Sequence, residues 1–404
     1  DLAEDRERFD DLLERLDINK PRGYTVFSKA KAIAAANNLG YPVLVRPSYV
    51  LGGQNMIIAH EDADIAEYMD IILSHEIENP VLIDKYLGGI EIEVDAICDG
   101  EDILIPGIME HVERAGIHSG DSIAVYPARN LSPRITEIVV DYTRSLALSL
   151  HTVGLVNIQY VVYQNKVFVI EVNPRSSRTI PYISKVTNIP MIDLATRVMT
   201  GEKLKDMGYG TGLHKPGDYI AVKVPVFSFE KLHNVDTHLG PEMKSTGEVL
   251  GIAPNFREAL YKGLLAAGYE MKKGGGVLIT VRDTDKPEIA DVAKKFAALD
   301  FTIYATHGTS AVLTEAGIKN ICVEKINEGN PNCLTLINDN KIDYIISTSK
   351  KGRIPTRSCV IMRRKAVELA IPCLTSIDTA MAMADSLKSA FTPENITLVD
   401  INTI

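Results

Sequence analysis

The stretch Val167-Phe168-Val169-Ile170-Glu171-Val172-Asn173-Pro174-Arg175 sets a carboxylate, an amide and a guanidinium at the end of an apolar run. As a strand it sends Glu171 and Asn173 to one face, because side chains two apart on a strand point the same way. Hard oxygen donors of this kind suit Mg²⁺, which takes few ligands from protein and fills its shell with phosphate oxygens and water. Arg175 lies just beyond. The preceding apolar run, residues 156–163, carries Gln159 as a third oxygen donor. A three-residue loop centred on Asn165 puts Gln159 opposite Glu171 in a hairpin, and a slip of one residue turns it away. The competing interpretation is an edge hairpin with solvated polar residues. The polar interruption of an apolar run favours a use.

Two further stretches bear on phosphate and nucleoside. Arg46-Pro47-Ser48-Tyr49-Val50-Leu51-Gly52-Gly53 joins two predicted strands through a loop ending in paired glycines. Glycines let backbone N–H groups approach phosphate closely, and Arg46 adds a charge-assisted contact. Lys85-Tyr86-Leu87, followed by Glu91, has the makings of an adenosine segment: backbone for the base, an apolar side chain beneath it, a carboxylate for ribose hydroxyls. Each alone is also what an ordinary hairpin or strand end contains.

The elements that must position these residues are predicted as follows. Residues 1 to about 20 form a charged amphipathic helix, followed by a helix at 29–38 and strands at 43–46, 56–59 and 81–85. Residues 90–98 alternate apolar and polar, and Asp99-Gly100 turns the chain into a partner strand at 103–113. Ser132-Pro133 caps a helix reaching about His151, with Pro at its first position. This is α+β with antiparallel pairs.

After Gly274-Gly275-Gly276 strands at 277–281, 301–305, 321–324, 344–347 and 372–374 alternate with helices, the first at 287–299. That alternation predicts a separate α/β doubly wound domain. The chain thus divides into 1–215, a tail and connector at 216–273, and 274–404. Ala305-Thr306-His307-Gly308-Thr309, ahead of a helix at 311–316, offers hydroxyls and free N–H groups to an anion; the plainer alternative is that they cap the helix.

The chain has 404 residues and a net charge of −10, which argues against nucleic acid as a main partner. No stretch has the apolar length of a membrane span, and no signal peptide is recognisable. The first residue is Asp1, so the chain is expected to be a piece of a longer polypeptide. Cys98, Cys322, Cys333, Cys359 and Cys373 are scattered and lack a C-x-x-C pair, so they are expected to be reduced thiols in a cytoplasmic protein.

Arg46–Gly53, then Ile-Met-Glu-His-Val-Glu at 108–113, Gly-Ile-His-Ser-Gly-Asp-Ser at 116–122 and Glu-Val-Asn-Pro-Arg at 171–175 occur in that order. With them the chain resembles the C-terminal half of the large subunit of the carbamoyl phosphate synthetases, within the ATP-grasp superfamily. The resemblance runs through essentially the whole chain and makes the last domain methylglyoxal-synthase-like. It implies an ATP-grasp domain that binds ATP and phosphorylates carbamate to carbamoyl phosphate. Arg46, Gly52, Gly53, Lys85, Leu87, Glu91, Gly116, Ile117, His118, Ser119, Gln159 and Glu171 are implied to bind ATP. Gln159, Glu171 and Asn173 are implied to hold two Mg²⁺ or Mn²⁺ ions, and Arg175 and Arg178 to stabilise the transferring phosphoryl group. Lys85 matters through its backbone on this view, and Arg178 also fits a structural ion pair. Phosphoryl transfer asks for positioning and charge neutralisation, so no Ser/His/Asp or Cys/His nucleophile is expected. The implied partners are the upstream half of the large subunit and a small glutaminase subunit, with no nucleic acid and no membrane.

In the last domain the resemblance implies a UMP-like effector on Thr280, Lys286, Thr306, Thr309 and Lys325, with Ser347 and Ser349 completing the pocket. No catalytic acid is expected beside residues 306–309, so binding rather than catalysis is implied. Glu113 and Asp121 match acids of the family's ornithine site, but a third glutamate expected near Val224 is missing. Two competing readings are an independent ATP-grasp carboxylate–amine ligase and a nucleotide-binding regulatory module without turnover of its own.

Overall fold

The computed structural model describes residues 6–47, 53–73, 80–231, 236–348, 358–389 and 391–402. The chain divides into two compact units, one of Asp1–Ala221, Gly240–Met243 and Val399–Ile404, the other of Val222–Leu239 and Lys244–Leu398. The division falls a few residues past the expected 215, and most of the expected connector belongs to the second unit.

The first unit opens with α1 (Arg6–Arg15), β1 (Gly23–Val26), α2 (Lys29–Leu39), β2 (Val43–Pro47), β3 (Ile57–Ala59), α3 (Asp62–Leu73) and β4 (Val81–Lys85). The strands form an antiparallel sheet ordered β1-β4-β2-β3. Alternation in β2 sends Val43 and Val45 inward, where they pack with Ala32 and Ala36 of α2, Ile65 and Met69 of α3 and Ile83 of β4. Ser28 caps α2 by accepting from the Lys31 N–H at 3.4 Å.

The second layer of this unit holds β5 (Ile90–Asp99), β6 (Ile103–Ile105), β7 (Ile108–Arg114), β8 (Ala124–Tyr126), α4 (Pro133–Ser149), β9 (Val153–Tyr163), β10 (Lys166–Asn173), α5 (Ile180–Thr187), α6 (Met191–Met199) and β11 (Gly212–Leu213). Its strands run β10-β9-β5-β7-β8, with β6 between β5 and β11. Asp99 Oδ1 accepts the N–H groups of Glu101 and Asp102 at 2.9 and 2.7 Å, which closes the predicted turn. The strand expected at 103–113 is split at Pro106-Gly107. Proline has no N–H to give a ladder, and a Cβ on Gly107 would meet the Tyr126 ring at 2.0 Å. Ser132 caps α4 as predicted, and Ile135, Val139 and Leu146 pack on Val94, Ala96, Val156 and Ile158.

The second unit contains β12 (Ile220–Val226), which begins at the division, then β13 (Gly247–Ala253), α7 (Phe256–Ala266), β14 (Gly275–Thr280), α8 (Lys286–Ala297), β15 (Phe301–Thr306), α9 (His307–Glu315), β16 (Ile321–Val323), α10 (Cys333–Asn338), β17 (Tyr344–Ser347), α11 (Ser358–Glu368), β18 (Cys373–Leu374) and α12 (Ile377–Leu387). The last five strands are parallel in the order β16-β15-β14-β17-β18, the doubly wound pattern expected. One correction concerns α9: it starts at His307 rather than at 311, so Thr309 lies in its first turn. Among the described residues no helix is long and apolar enough to cross a membrane.

Candidate functional site

The β9–β10 hairpin brings Gln159 directly opposite Glu171, and Asn157 opposite Asn173. The loop is not the three-residue one expected. Gln164 and Asn165 alone turn the chain, both at positive φ (50° and 59°), and Tyr163 pairs with Lys166. Carried on unbroken, that register would set Ile170 opposite Gln159. A bulge between Val169 and Glu171 absorbs one residue and returns Glu171 to the row. β10 is an edge strand, as the competing interpretation had it, and Glu171 is exposed.

The row continues onto β5, where Glu93 pairs with Gln159 and Asp95 with Asn157. Gln159 Nε2 donates to Ser119 Oγ at 3.0 Å, which ties the amide nitrogen to the 116–122 loop and leaves its carbonyl oxygen for a cation. Asn173 Nδ2 donates to Asn157 Oδ1 at 3.4 Å, and Asn157 Nδ2 donates to Glu93 and Asp95 at 2.8 and 3.0 Å. Thr179 Oγ1 donates to Asp95 at 2.6 Å and lies 3.2 Å from Glu93 Oε1. The donor set is therefore two amides and one carboxylate, backed by buried acids. Among the described residues no group of three or more His, Cys, Asp or Glu forms a metal cage. Few hard protein oxygens with room for phosphate and water is the donor chemistry of a nucleotide-bound Mg²⁺ or Mn²⁺, so the residues fit such an ion.

Glu93 and Asp95 were legible only as the polar half of an alternating strand, and Glu91 as a ribose ligand; the structure buries Glu91, Glu93 and Asp95 to 5, 3 and 0 % exposure. Burial pushes the Glu91 carboxyl up to about 7, opposed by His111 and reinforced by Glu93, Glu171 and Glu113. Burial and then Glu93 raise Asp95 to about 7 as well. His111 lies between two of the acids, its Nδ1 3.5 Å from Glu91 and its Nε2 3.5 Å from Glu93. This face is a concentration of acids held out of water, whose charged forms a bound cation favours.

The loops carrying the other candidate residues converge differently. His118 Nδ1 accepts the Gly120 N–H at 3.0 Å, shaping the loop at Ser119. The His118 N–H donates to the Gly240 carbonyl at 2.8 Å. Gly53 sits at φ +67°, and a Cβ there would lie 1.9 Å from the Pro241 oxygen. Arg178 Nη1 lies 2.9 Å from the Met243 sulphur. Residues 240–243 thus cover these loops, a feature no local sequence signal announced. Gly116 sits at φ +110° with Tyr86 and Ile58 closing on its missing Cβ, and Tyr86 donates to the Ala115 carbonyl at 2.5 Å. Ile117 is half-buried on the same loop, and Leu87 half-buried between β4 and β5.

Lys85 Nζ donates to the carbonyls of Gly40 and Tyr41 at 2.7 and 3.3 Å, so its side chain is occupied with backbone. Arg46 Nε is 3.4 Å from Asp84. Gly52, with the rest of residues 48–52, lies outside the described residues. Arg175 Nη2 donates to Asn173 Oδ1 at 3.2 Å, joining the arginine to the donor row. Glu113 and Asp121 are 2 and 1 % exposed, and Glu113 accepts the Ile123 N–H at 2.8 Å.

In the second unit a cavity of about 230 Å³ opens at the carboxyl ends of β14 and β15, lined by Thr280, Thr306, Lys325, Cys333, Cys359 and Met362 among others. Thr306 Oγ1 donates to Thr280 Oγ1 at 3.2 Å. Three of the residues expected there do not line it. Lys286 Nζ pairs with Asp283 at 2.6 Å. Thr309 Oγ1 accepts the Val281 N–H at 3.3 Å and is buried. Ser347 is fully buried and accepts from Arg363 at 3.4 Å. Ser349 lies outside the described residues. Beside residues 306–309 an acid does stand, Glu324, with Oε2 2.8 Å from His307 Nε2. Cys322 lies on the other side of the same ring, so a Cys/His pair, unexpected from sequence, also exists.

Comparison with known proteins places these features in a family. Residues 5–207 match the model described as the carbamoyl-phosphate synthase L chain ATP-binding domain, and residues 288–375 match the MGS-like domain. The carbamoyl phosphate synthase large chain of Lachnoclostridium phytofermentans is 56% identical over 99% of the chain, and that of Clostridium perfringens strain 13 is 52% identical over 96%. The chain spans 38% and 36% of those relatives' lengths. Among solved structures, an ADP complex of purK, an N5-carboxyaminoimidazole ribonucleotide synthetase, superposes with a TM-score of 0.52 at 14% identity, covering 66% of this chain and 71% of that one. That likeness concerns the fold alone.

Proposed function

The chain belongs to the carbamoyl-phosphate synthase large-chain family, and we propose that its first unit phosphorylates carbamate with ATP to give carbamoyl phosphate and ADP. The observation that carries this is the row of Gln159, Glu171 and Asn173, with Arg175 attached to it and Ser119 tied to Gln159. Bound to this row, one or two Mg²⁺ or Mn²⁺ ions supply charge neutralisation and a template for the triphosphate.

The chain's own residues do the rest. Backbone N–H groups of Gly116, Ile117 and Ser119 and the loop at Gly53 receive phosphate oxygens, with His118 held in place by its N–H bond to Gly240. Residues 85–87 and Glu91 hold the adenosine. Arg175 and Arg178 stabilise the charge that spreads over the transferring phosphoryl group. Glu93, Asp95, Asn157 and Thr179 fix the direction of the donor row. Residues 1–215 form the phosphorylating domain, 216–273 its tail and connector, and 274–404 an effector domain.

The second unit, on this reading, binds a UMP-like phosphate-bearing effector at Thr280, Thr306 and Lys325. The upstream half of the large chain and a glutaminase subunit complete the cytoplasmic enzyme. With Val222-Lys223-Val224-Pro225 where the family's third glutamate is expected in the sequence, ornithine is a poor activator. An ornithine titration of the complete enzyme that gave robust activation would overturn this point.

The main test is ATP formation from MgADP and carbamoyl phosphate. Glu171→Gln is expected to lower the rate by about 10²–10³-fold, the scale for losing one preorganised electrostatic contact. Equal rates in both proteins would refute the assignment. Tight MgATP binding with no turnover in either would instead favour the regulatory-module reading for this piece of chain.

A further inference from the structure

The geometry points to Cys322 as a nucleophilic thiol that reacts with soft electrophiles and hydroperoxides, aligned by His307 and Glu324 at the surface of the second unit. Cys322 stands on β16, the edge strand of the parallel sheet, and is the exposed member of the five free cysteines. Its Sγ lies 3.2 Å from His307 Nδ1, and His307 Nε2 lies 2.8 Å from Glu324 Oε2. A nucleophile within reach of a base, with the base oriented by a third group, is the arrangement that activates a thiol. The two ring nitrogens face different partners, so the three side chains do not converge on a point where an ion could sit. That excludes a metal site and leaves a relay.

The relay is built from rigid elements. Ala305 pairs with Cys322 and Thr306 with Val323 in the parallel ladder, which holds β16 beside the end of β15. His307 is the first residue of α9, and Glu324 follows β16 directly. The imidazole is 61% exposed and the glutamate side chain 34%, so a small reagent has access. The other cysteines lack this setting. Cys98 is buried and burial raises its thiol. Burial pushes Cys333 up to about 11 and Cys373 up to about 12. Cys359 is half-buried on the cavity wall. Thr306 and Lys325, the chain neighbours of His307 and Glu324, line that cavity, so the base and the acid that orients it each stand one residue from its wall.

The chemistry balances without any group the protein lacks. His307 Nδ1 takes the thiol proton, and the sulphur lone pair attacks. With iodoacetamide the S–C bond forms, the C–I bond breaks and iodide leaves. With hydrogen peroxide the S–O bond forms and the O–O bond breaks. The sulphur is oxidised by two electrons to a sulfenic acid, and the departing hydroxide takes the proton from His307 and leaves as water.

The test is the rate of carbamidomethylation at each cysteine of the full chain at pH 7, read by peptide mass spectrometry, with a free cysteine peptide as reference. Only a few per cent of a free thiol is ionised at that pH, so activation leaves room for a rate at least about tenfold above the reference. His307→Gln is expected to remove the advantage, Glu324→Gln to reduce it and Glu324→Asp to restore part of it. Peroxide followed by a sulfenate trap should label Cys322 first. A Cys322 rate equal to that of the free peptide would overturn the proposal. So would an enhanced rate left unchanged by His307→Gln in a protein with wild-type circular dichroism, because the enhancement would then owe nothing to the relay.

Discussion

Each unit buries a charged cluster, and the two clusters are built on opposite terms. In the second unit Arg363 is fully buried, with Nε and Nη2 each 2.7 Å from an oxygen of Asp236. Burial pulls its pKa down, but the hydrogen bonds and charge of Asp236 more than offset this. Next to it burial and Arg363 press His238 down to about 3, which keeps it neutral. In the first unit Glu91, Glu93 and Asp95 are buried side by side as acids whose charges would all have one sign. A closed bidentate pair holds structure together. A set of like charges is a cost to the empty protein, and it makes sense where a cation arrives. Perturbed buried acids beside a row of oxygen donors are the pattern of a functional site; a closed ion pair is the pattern of architecture.

The comparison breaks most sharply at Asp236. Asp236→Ala leaves an uncompensated guanidinium inside the second unit and is expected to cost about 3–5 kcal/mol. Urea unfolding measures it, and a loss below about 1 kcal/mol would mean that the cluster is not closed as described. In the first unit Asn157→Ala removes the link between Asn173 and the two acids behind it. There the expected loss is in affinity for Mg²⁺-nucleotide, about 10–100-fold, the usual cost of removing a group that orients a ligand. Calorimetric titration reads it, and unchanged affinity would reduce Asn157 to a packing role.

The smallest effect is on pH dependence. In the folded protein Glu91 and Asp95 are pushed up to about 7 each, above their ordinary values of 4.5 and 3.8. A raised carboxyl binds its proton more tightly when folded. The stability it contributes is complete below its unfolded pKa and is lost as pH rises through the folded one. In cation-free buffer the first unit should therefore melt at a lower temperature at pH 8 than at pH 5.5. Glu91→Gln should flatten this by up to about 1 kcal/mol per pH unit near neutrality. A midpoint that rises with pH over this window would show that the acids are ionised and already satisfied.

What was legible in the sequence follows from the range of the interactions. The Asp99-Gly100 turn, the Ser132-Pro133 cap and the doubly wound strands after 274 are local signals and stand nearly where predicted. The Gln159–Glu171 pairing was reached with the wrong loop, because a two-residue turn and a one-residue bulge sum to the same register as a three-residue loop. Burial of Glu93 and Asp95 was illegible because Asn157 and Thr179, which bond them, are 62 to 86 residues away. An alternating strand looks the same whether its polar face meets water or a polar interior. The placement of residues 240–243 over the loops at Gly53 and His118, and of His307 between Cys322 and Glu324, likewise rests on pairings no local pattern encodes.

The amino-acid sequence by itself determined the elements, the division into an antiparallel and a parallel part, and the residue types of the donor row, since turn chemistry, capping and side-chain period act within a few residues. Only the tertiary structure decided which acids are dry, which cysteine faces an imidazole and which predicted effector residues reach the cavity. Burial and hydrogen bonding between distant segments set those properties, and neither exists until the chain has closed on itself.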